Sequence, residues 1–236
     1  MFHFLRGTAV LVLAPLLTFL VSVSALVLGG LLGRSAAAVQ FLPRAWGRLI
    51  ARLSGVTVTM SGLDRLEKGR PYIFAANHQS QFDIFVLQGY LDFDFRWLAK
   101  LELFQVPLFG RAMRLAGYIP VDRSHSRKAI QSLDEAAVRI ADGTSVIIFP
   151  EGTRSPDGRL QPFKAGAMVL AIKAGVPVVP VAILGTGQIL PKGSLLARSG
   201  KVEIRVGEPI ATADYTLRQK HELAELLQSR VAQLLA

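Results

Sequence analysis

Two short stretches hold most of the residues able to do chemistry. The first is "NHQSQFD" (77–83), which carries His78 and Asp83 just after an apolar run. A carboxylate that accepts from one imidazole nitrogen fixes the tautomer and leaves the other nitrogen free to take a proton from a hydroxyl. On a regular α-helix, positions five apart differ by ~140° and do not share a face. The pair therefore meets only if His78 precedes a helix and Asp83 lies in its first turns. The competing reading is a turn histidine beside a surface aspartate. The second stretch is "FPEGTRSPDGRLQPFKAG" (149–166). It offers Arg154 and Lys164, with Gly152 and Gly158 permitting close backbone approach. An arginine at the end of a buried strand suits a two-pronged grip on phosphate. Glu151 either holds Arg154 in place or contacts substrate hydroxyls. The competing reading is a surface loop with a Glu–Arg pair. Arg123, in "GYIPVDR", follows another short strand, and Lys100 and Glu102 lie in "AKLELFQVPLFG" (99–110). No third ligand at a supporting spacing suggests a metal. The chain has no Cys, no G-x-S-x-G elbow and no P-loop.

Elements of alternating type have to position these residues. "VTVTM" (56–60), "YIFAAN" (72–77), "FRWLA" (95–99), "YIPV" (118–121), "SVIIFP" (145–150), "PVVPVAI" (177–183) and "VEIRVG" (202–207) read as strands. "DIFVLQGY" (83–90) reads as a helix, as do residues 125–142, with Ile130, Leu133, Ala137 and Ile140 on one face. Residues 164–175 form another, ended by Gly175. A closing helix near 217–235 starts at a capping-box pattern, Thr216 with Gln219. Strands alternating with helices predict an α/β fold, a mixed, largely parallel sheet flanked by helices. Both polar stretches then fall at strand ends, where such sheets keep their sites.

The front of the chain differs. From Gly7 to Gly33 no residue is charged. A helix of that length runs roughly 40 Å against a bilayer core of ~30 Å. The run reads as an N-terminal membrane helix, or as a hairpin or re-entrant segment broken at Pro15 or at Gly29-Gly30. A cleaved signal peptide, with "SAAA" at 35–38, is a further reading. Arg6 precedes the run, and Arg34, Arg44, Arg48 and Arg52 follow it, which puts the rest of the chain on the cytoplasmic side. Residues 42–53 form an amphipathic helix with Leu42, Trp46, Leu49, Ile50 and Leu53 on one face and Arg44, Arg48 and Arg52 on another. Such a helix either lies in the membrane interface or packs on its own domain. The net charge is +10, from 27 Lys and Arg against 17 Asp and Glu, which suits anionic head groups or a phosphorylated substrate. No zinc-finger spacing, basic run or RNA-binding aromatic motif points to nucleic acid.

Taken in order, NH-x4-D, K-x-E-L-x3-P-x2-G, G-Y-I-x-V-D-R, F-P-E-G-T-R-S and V-P-V-V-P-V-A-I resemble the glycerophosphate acyltransferase superfamily, over about residues 55–210. Family members usually carry N-terminal membrane helices before the domain, as here. The resemblance divides the chain into a membrane-anchoring segment with its interfacial helix (1–54) and an acyltransferase domain (55–236). It implies that His78 is the general base and Asp83 its orienting partner. Arg154, Glu151, Gly152 and Thr153 would form the glycerol-phosphate site, with charge added by Arg123 and Lys100. Val176 to Ile183, with Pro177 and Pro180, would shape the acyl or acceptor pocket. Lys164 joins the substrate-binding set on spacing alone. The implied reaction moves a fatty acyl group from acyl-CoA or acyl carrier protein to the 2-hydroxyl of lysophosphatidate, with no cofactor, at the cytoplasmic face of the inner membrane. Its partners are those substrates and the membrane lipid bilayer. Another lysolipid, such as lyso-ornithine lipid, is an alternative acceptor. A non-catalytic module for anionic lipid is a further alternative, against which the His78–Asp83 pair argues.

Overall fold

The computed structural model describes residues 2–31, 39–122 and 124–236. Arg34, the stretch 35–38, the last two residues of the apolar run and Arg123 lie outside the described residues. Helix α1 (Phe2–Leu31) is continuous through Pro15, Gly29 and Gly30, so the break expected at those positions is absent. A proline removes one ladder donor, and an apolar helix absorbs that loss without turning. Helix α2 (Phe41–Leu53) matches the predicted amphipathic segment.

The strands form one sheet among the described residues: β1 (Val56–Ser61), β2 (Ile73–Ala76), β3 (Arg96–Lys100), β4 (Ile119–Val121), β5 (Val146–Ile148), β6 (Val178–Leu184) and β7 (Gly200–Val206). Their order is β1-β7-β6-β2-β5-β3-β4. Every neighbouring pair is parallel except β6 with β7, which gives the mixed, largely parallel sheet expected from the alternation of elements. The helices between strands are α3 (Phe82–Tyr90), α4 (Phe109–Leu115), α5 (Ser126–Ala141), α6 (Ala165–Ala174) and the short α7 (Thr186–Ile189), and the chain ends with α8 (Lys220–Leu235). The capping box of Thr216 and Gln219 stands at the start of a 3-10 turn leading into α8.

Side chains alternate across the sheet at the strand period of two. Phe74, Ala76, Ile147, Val179 and Val181 face a core shared with α2 and α3. Ile73, Ala75, Val146, Ile148 and Val178 face a second core under α5, α6 and α8. Strand β6, which holds most of the stretch implied to shape a pocket, is central, and its residues 178–183 are buried between the two cores. One correction concerns α5. Ala137 and Ile140 are buried as expected, but Ile130 is 57% exposed, because the edge strand β4 beside it has only three residues to cover.

The N-terminal segment is not separate from the domain in its packing. Val10 of α1 and Ile50 and Ala51 of α2 belong to the same core as the sheet. Helix α1 touches the domain at both ends. A Cβ on Gly7 would lie 2.9 Å from the Ala197 carbonyl oxygen, and one on Gly29 would lie 2.4 Å from Leu115. Helix α2 packs on α3, with Gly47 against Phe85 and Gly89. Arg48 Nε donates to the Gly89 carbonyl at 2.6 Å, and Arg44 donates to Phe93 O at 2.6 Å and to Asp92 at 2.7 Å. The helix packs on its own domain, and its Phe41, Leu49 and Leu53 remain exposed. Arg48 caps the C-terminal end of α3, and Arg44 holds the chain just beyond it.

Candidate active site

The parallel strands β2, β5, β3 and β4 all end on the same side of the sheet, and each is followed by one of the chemistry-bearing segments. His78 follows β2, and Glu151 to Arg154 follow β5, its hydrogen-bonded neighbour. His78 and Asp83 meet because α3 begins between them. Ser80 Oγ accepts from the Phe82 amide at 3.0 Å, and Asp83 Oδ2 accepts from the Ser80 amide at 3.0 Å, the reciprocal exchange of a capping box. Asp83 Oδ2 also accepts from the Gln79 amide at 2.9 Å and lies 2.8 Å from His78 Nδ1. Asp83 is fully buried. Oδ2 already accepts from two backbone amides, so Nδ1 is assigned as the donor to it and Nε2 is left as the acceptor. The three donors on one oxygen fix the carboxylate, and the carboxylate fixes the ring.

Two residues from the end of β5 complete the hold on His78. Phe149 stacks on the imidazole with centroids 3.9 Å apart and planes 12° from parallel. Trp97 of β3 stacks in turn on Phe149 at 5.9 Å, and its Nε1 donates to Gln88 Oε1 at 2.6 Å. Glu151 Oε1 accepts from the His78 amide at 2.6 Å, and Oε2 accepts from the Gln161 amide at 3.1 Å. Glu151 is 3% exposed. Burial pushes its carboxyl above the ordinary value, and the two backbone donors pull it back in part. The expected Glu151–Arg154 pair is therefore absent. With both oxygens taken by amides, Glu151 straps the β2 and β5 exits together. The Ser155 amide adds a bond to His78 O at 2.7 Å, and Gln79 Nε2 donates to Gly158 O at 2.9 Å.

Outside this buried knot the site turns cationic. Among the described residues no carboxylate pairs with Arg154, Lys164 or Lys192. Gly152 has φ +75°, and a Cβ there would lie 2.9 Å from Lys164 Nζ, so the ammonium rests against the Gly152 backbone. Lys192 Nζ donates to Arg154 O at 2.8 Å. Thr153 is exposed and Arg154 half-buried between these cations. Lys100 stands apart. It closes β3, two strands from β2 and so ~10 Å away at the usual strand spacing. Lys100 bonds Glu102 at 2.9 Å, and that bond holds the Glu102 carboxyl below its usual range.

The sequence reading missed Asn77, Phe149, Ser80 and Lys192. Asn77 extends the sheet with its side chain, accepting from the Ile183 amide at 2.7 Å and donating to its carbonyl at 3.0 Å. Its position beside His78 was the available signal. Phe149 looked like one more apolar strand residue, and nothing local marked it as the neighbour of a histidine seventy residues earlier.

Comparison with known proteins adds to this geometry. The family model described as Acyltransferase matches residues 57–184. A 1-acyl-sn-glycerol-3-phosphate acyltransferase from Pseudomonas aeruginosa is 30% identical, over 99% of this chain and 85% of its own length. The chloroplast enzyme of that name from Brassica napus, BAT2, is 40% identical over 72% of this chain and 50% of its own length. The chain thus spans about half the length of the chloroplast relatives it matches. The crystal structure of the 1-acyl-sn-glycerophosphate (LPA) acyltransferase PlsC from Thermotoga maritima superposes with a TM-score of 0.77 at 27% identity. The match covers 98% of this chain and 97% of that one.

Proposed function

The chain belongs to the acyltransferase family, and on that footing we propose that it acylates the free 2-hydroxyl of 1-acylglycerol 3-phosphate to give phosphatidate. The acyl donor in this reading is a thioester, acyl-CoA or acyl carrier protein. One observation carries it: an imidazole fixed by Asp83 and bonded through its backbone to the loop of Arg154 and Lys164, two cations that no carboxylate pairs among the described residues. Arg154, with Lys164 and Lys192, holds the acceptor phosphate. Holding it turns attack by the hydroxyl into a step within one complex.

His78 Nε2 takes the hydroxyl proton as the oxygen bonds to the thioester carbonyl carbon. The carbonyl becomes an oxyanion, and His78 becomes an imidazolium stabilised by Asp83. Collapse of the tetrahedral species breaks the carbon–sulfur bond, and Nε2 returns its proton to the departing thiolate. The base ends as it began, and no acyl-enzyme forms. The face of Phe149 adds a further favourable contact to the charged ring.

The lipid substrates call for a membrane, and α1 suits one. It is long and apolar enough to cross a bilayer, and 17% of its most apolar window is buried. Docked along the domain at Gly7 and Gly29, it enters one leaflet with the domain at the cytoplasmic surface of the inner membrane. The test is an assay of the purified full chain with labelled acyl-CoA and acyl carrier protein against lysophosphatidate, other lysophospholipids and lyso-ornithine lipid. Transfer to lysophosphatidate at least ten times faster than to the rest is the expected result. Equal or faster transfer to another acceptor overturns the reading.

A further inference from the structure

Two segments of the catalytic domain flank the His78 turn and carry apolar side chains that the fold leaves uncovered. Residues 101–110 follow β3 and expose Leu103, Val106 and Leu108 at 43%, 46% and 37%. Leu108 has φ +61°, the one non-glycine among the described residues with positive φ. Such a backbone is strained for a residue with a β-carbon and persists only where its surroundings impose it. Residues 190–199 follow β6 and α7 and expose Leu195 at 71%. Both segments leave the same end of the sheet as His78, one on its β3 side and the other on its β6 side. The second is tied to the His78 turn by Ser80 Oγ, which donates to Leu190 O at 2.7 Å.

Each segment also leads to α1. Residues 196–197 abut Gly7, and α4, which continues from residue 108, meets Gly29 through Leu115. The exposed ridge of α1, with Phe4, Leu16, Phe19, Leu20 and Val27, thus runs from one segment to the other. Charge follows the same surface. The first acidic residue of the chain is Asp64, and none occurs between Asp157 and Glu203. Arg6, Lys192, Arg198 and Lys201 come from these two acid-free stretches, which meet where the Gly200 amide bonds Gly55 O at 3.3 Å.

From this placement we propose that residues 103–108 and 190–199 are two membrane-contact elements of the catalytic domain, lying at either end of α1 and docking the mouth of the site on an anionic bilayer. The proposal rests on the membrane reading of α1 and goes beyond it. Uncovered leucines fit lipid acyl chains, and the cations about 190–199, with no acid in their stretches of chain, fit anionic head groups; Glu102, beside 103–108, is paired with Lys100. Such a surface does not suit a second copy of a chain with the same +10 charge.

Because the chain has no Cys, single-cysteine variants report cleanly. Phe19→Cys, Val106→Cys, Leu195→Cys and Val138→Cys of the full chain are labelled with an environment-sensitive fluorophore. They are then mixed with phosphatidylcholine–phosphatidylglycerol vesicles carrying spin-labelled acyl chains. Val138 is 62% exposed on α5, over the opposite core. Quenching of roughly two-fold or more is expected at 19, 106 and 195 and none at 138. Quenching at 19 alone overturns the proposal and leaves α1 as the sole anchor. No quenching at 19 overturns the membrane reading beneath it. Arg198→Glu, a change of two charges, is expected to weaken binding to these vesicles roughly thirty-fold, at about 1 kcal/mol per charge near the surface, with little change on pure phosphatidylcholine. Equal affinity for both vesicle types counts against the anionic part. Concentration-dependent pairing of copies through 106 or 195 without vesicles overturns the lipid assignment.

Discussion

The inner and outer halves of the site are built on opposite plans. Around His78 most polar atoms are spoken for, Asp83 Oδ1 being buried without a hydrogen-bond partner among the described residues. Asp83 Oδ2 has three partners, Glu151 uses both oxygens, and Phe149 lies flat on the ring. Around Arg154 the cations stand without carboxylates, on a loop where Gly152 and Gly158 take positive φ. Proton transfer needs a base held within fractions of an ångström, whereas gripping a doubly charged head group needs charge left unspent. Under the proposed function, the contrast separates residues that set the rate of the chemical step from residues that set affinity.

Four substitutions sharpen or break that contrast, in order of expected effect. His78→Ala removes the base, and kcat is expected to fall by ~10³-fold or more with the fold intact by circular dichroism. Retention of a tenth of the activity would remove His78 from the mechanism. Asp83→Asn keeps the shape but can present an amide NH2 to Nδ1, favouring the wrong tautomer. A fall in kcat of ~10²–10⁴-fold with unchanged acceptor KM is expected. Glu151→Gln leaves one of two buried backbone amides facing a donor. It should cost ~1–3 kcal/mol of stability in urea unfolding and lower kcat by ~10-fold. A rise in lysophosphatidate KM with kcat unchanged would instead make Glu151 a substrate ligand. Arg154→Lys loses the fork and is expected to raise acceptor KM by ~10-fold while kcat holds, the mirror of the three inner variants. If kcat falls and KM does not move, the division between the halves is wrong.

What the sequence revealed follows a physical line. The strands, the closing capping box and the His78–Asp83 pair were legible because each depends on neighbours within a few residues. Even the awkward spacing of five resolved locally, since His78 precedes α3 and Asp83 sits in its first turn. What failed depended on distant partners. Glu151 looked like the companion of Arg154, three residues on, and its true partners are the amides of residues 78 and 161. Arg44 and Arg48 read as part of a charged stripe, and their bonds to residues 89, 92 and 93 were not legible. Pro15 and the Gly29-Gly30 pair left a hairpin open as an alternative to the continuous helix that is observed. The glycine at 29 is there to admit Leu115.

The contact between Gly7 and Ala197 has a consequence for how the molecule is made. Helix α1 emerges from the ribosome early, yet the surface that receives its first turns is not synthesised until almost two hundred residues later. Its far end waits less long, since Leu115, which meets Gly29, is made well before residue 197. On the membrane reading of α1, lipid receives the apolar helix before its first turns reach Ala197, and the catalytic domain closes on that end last.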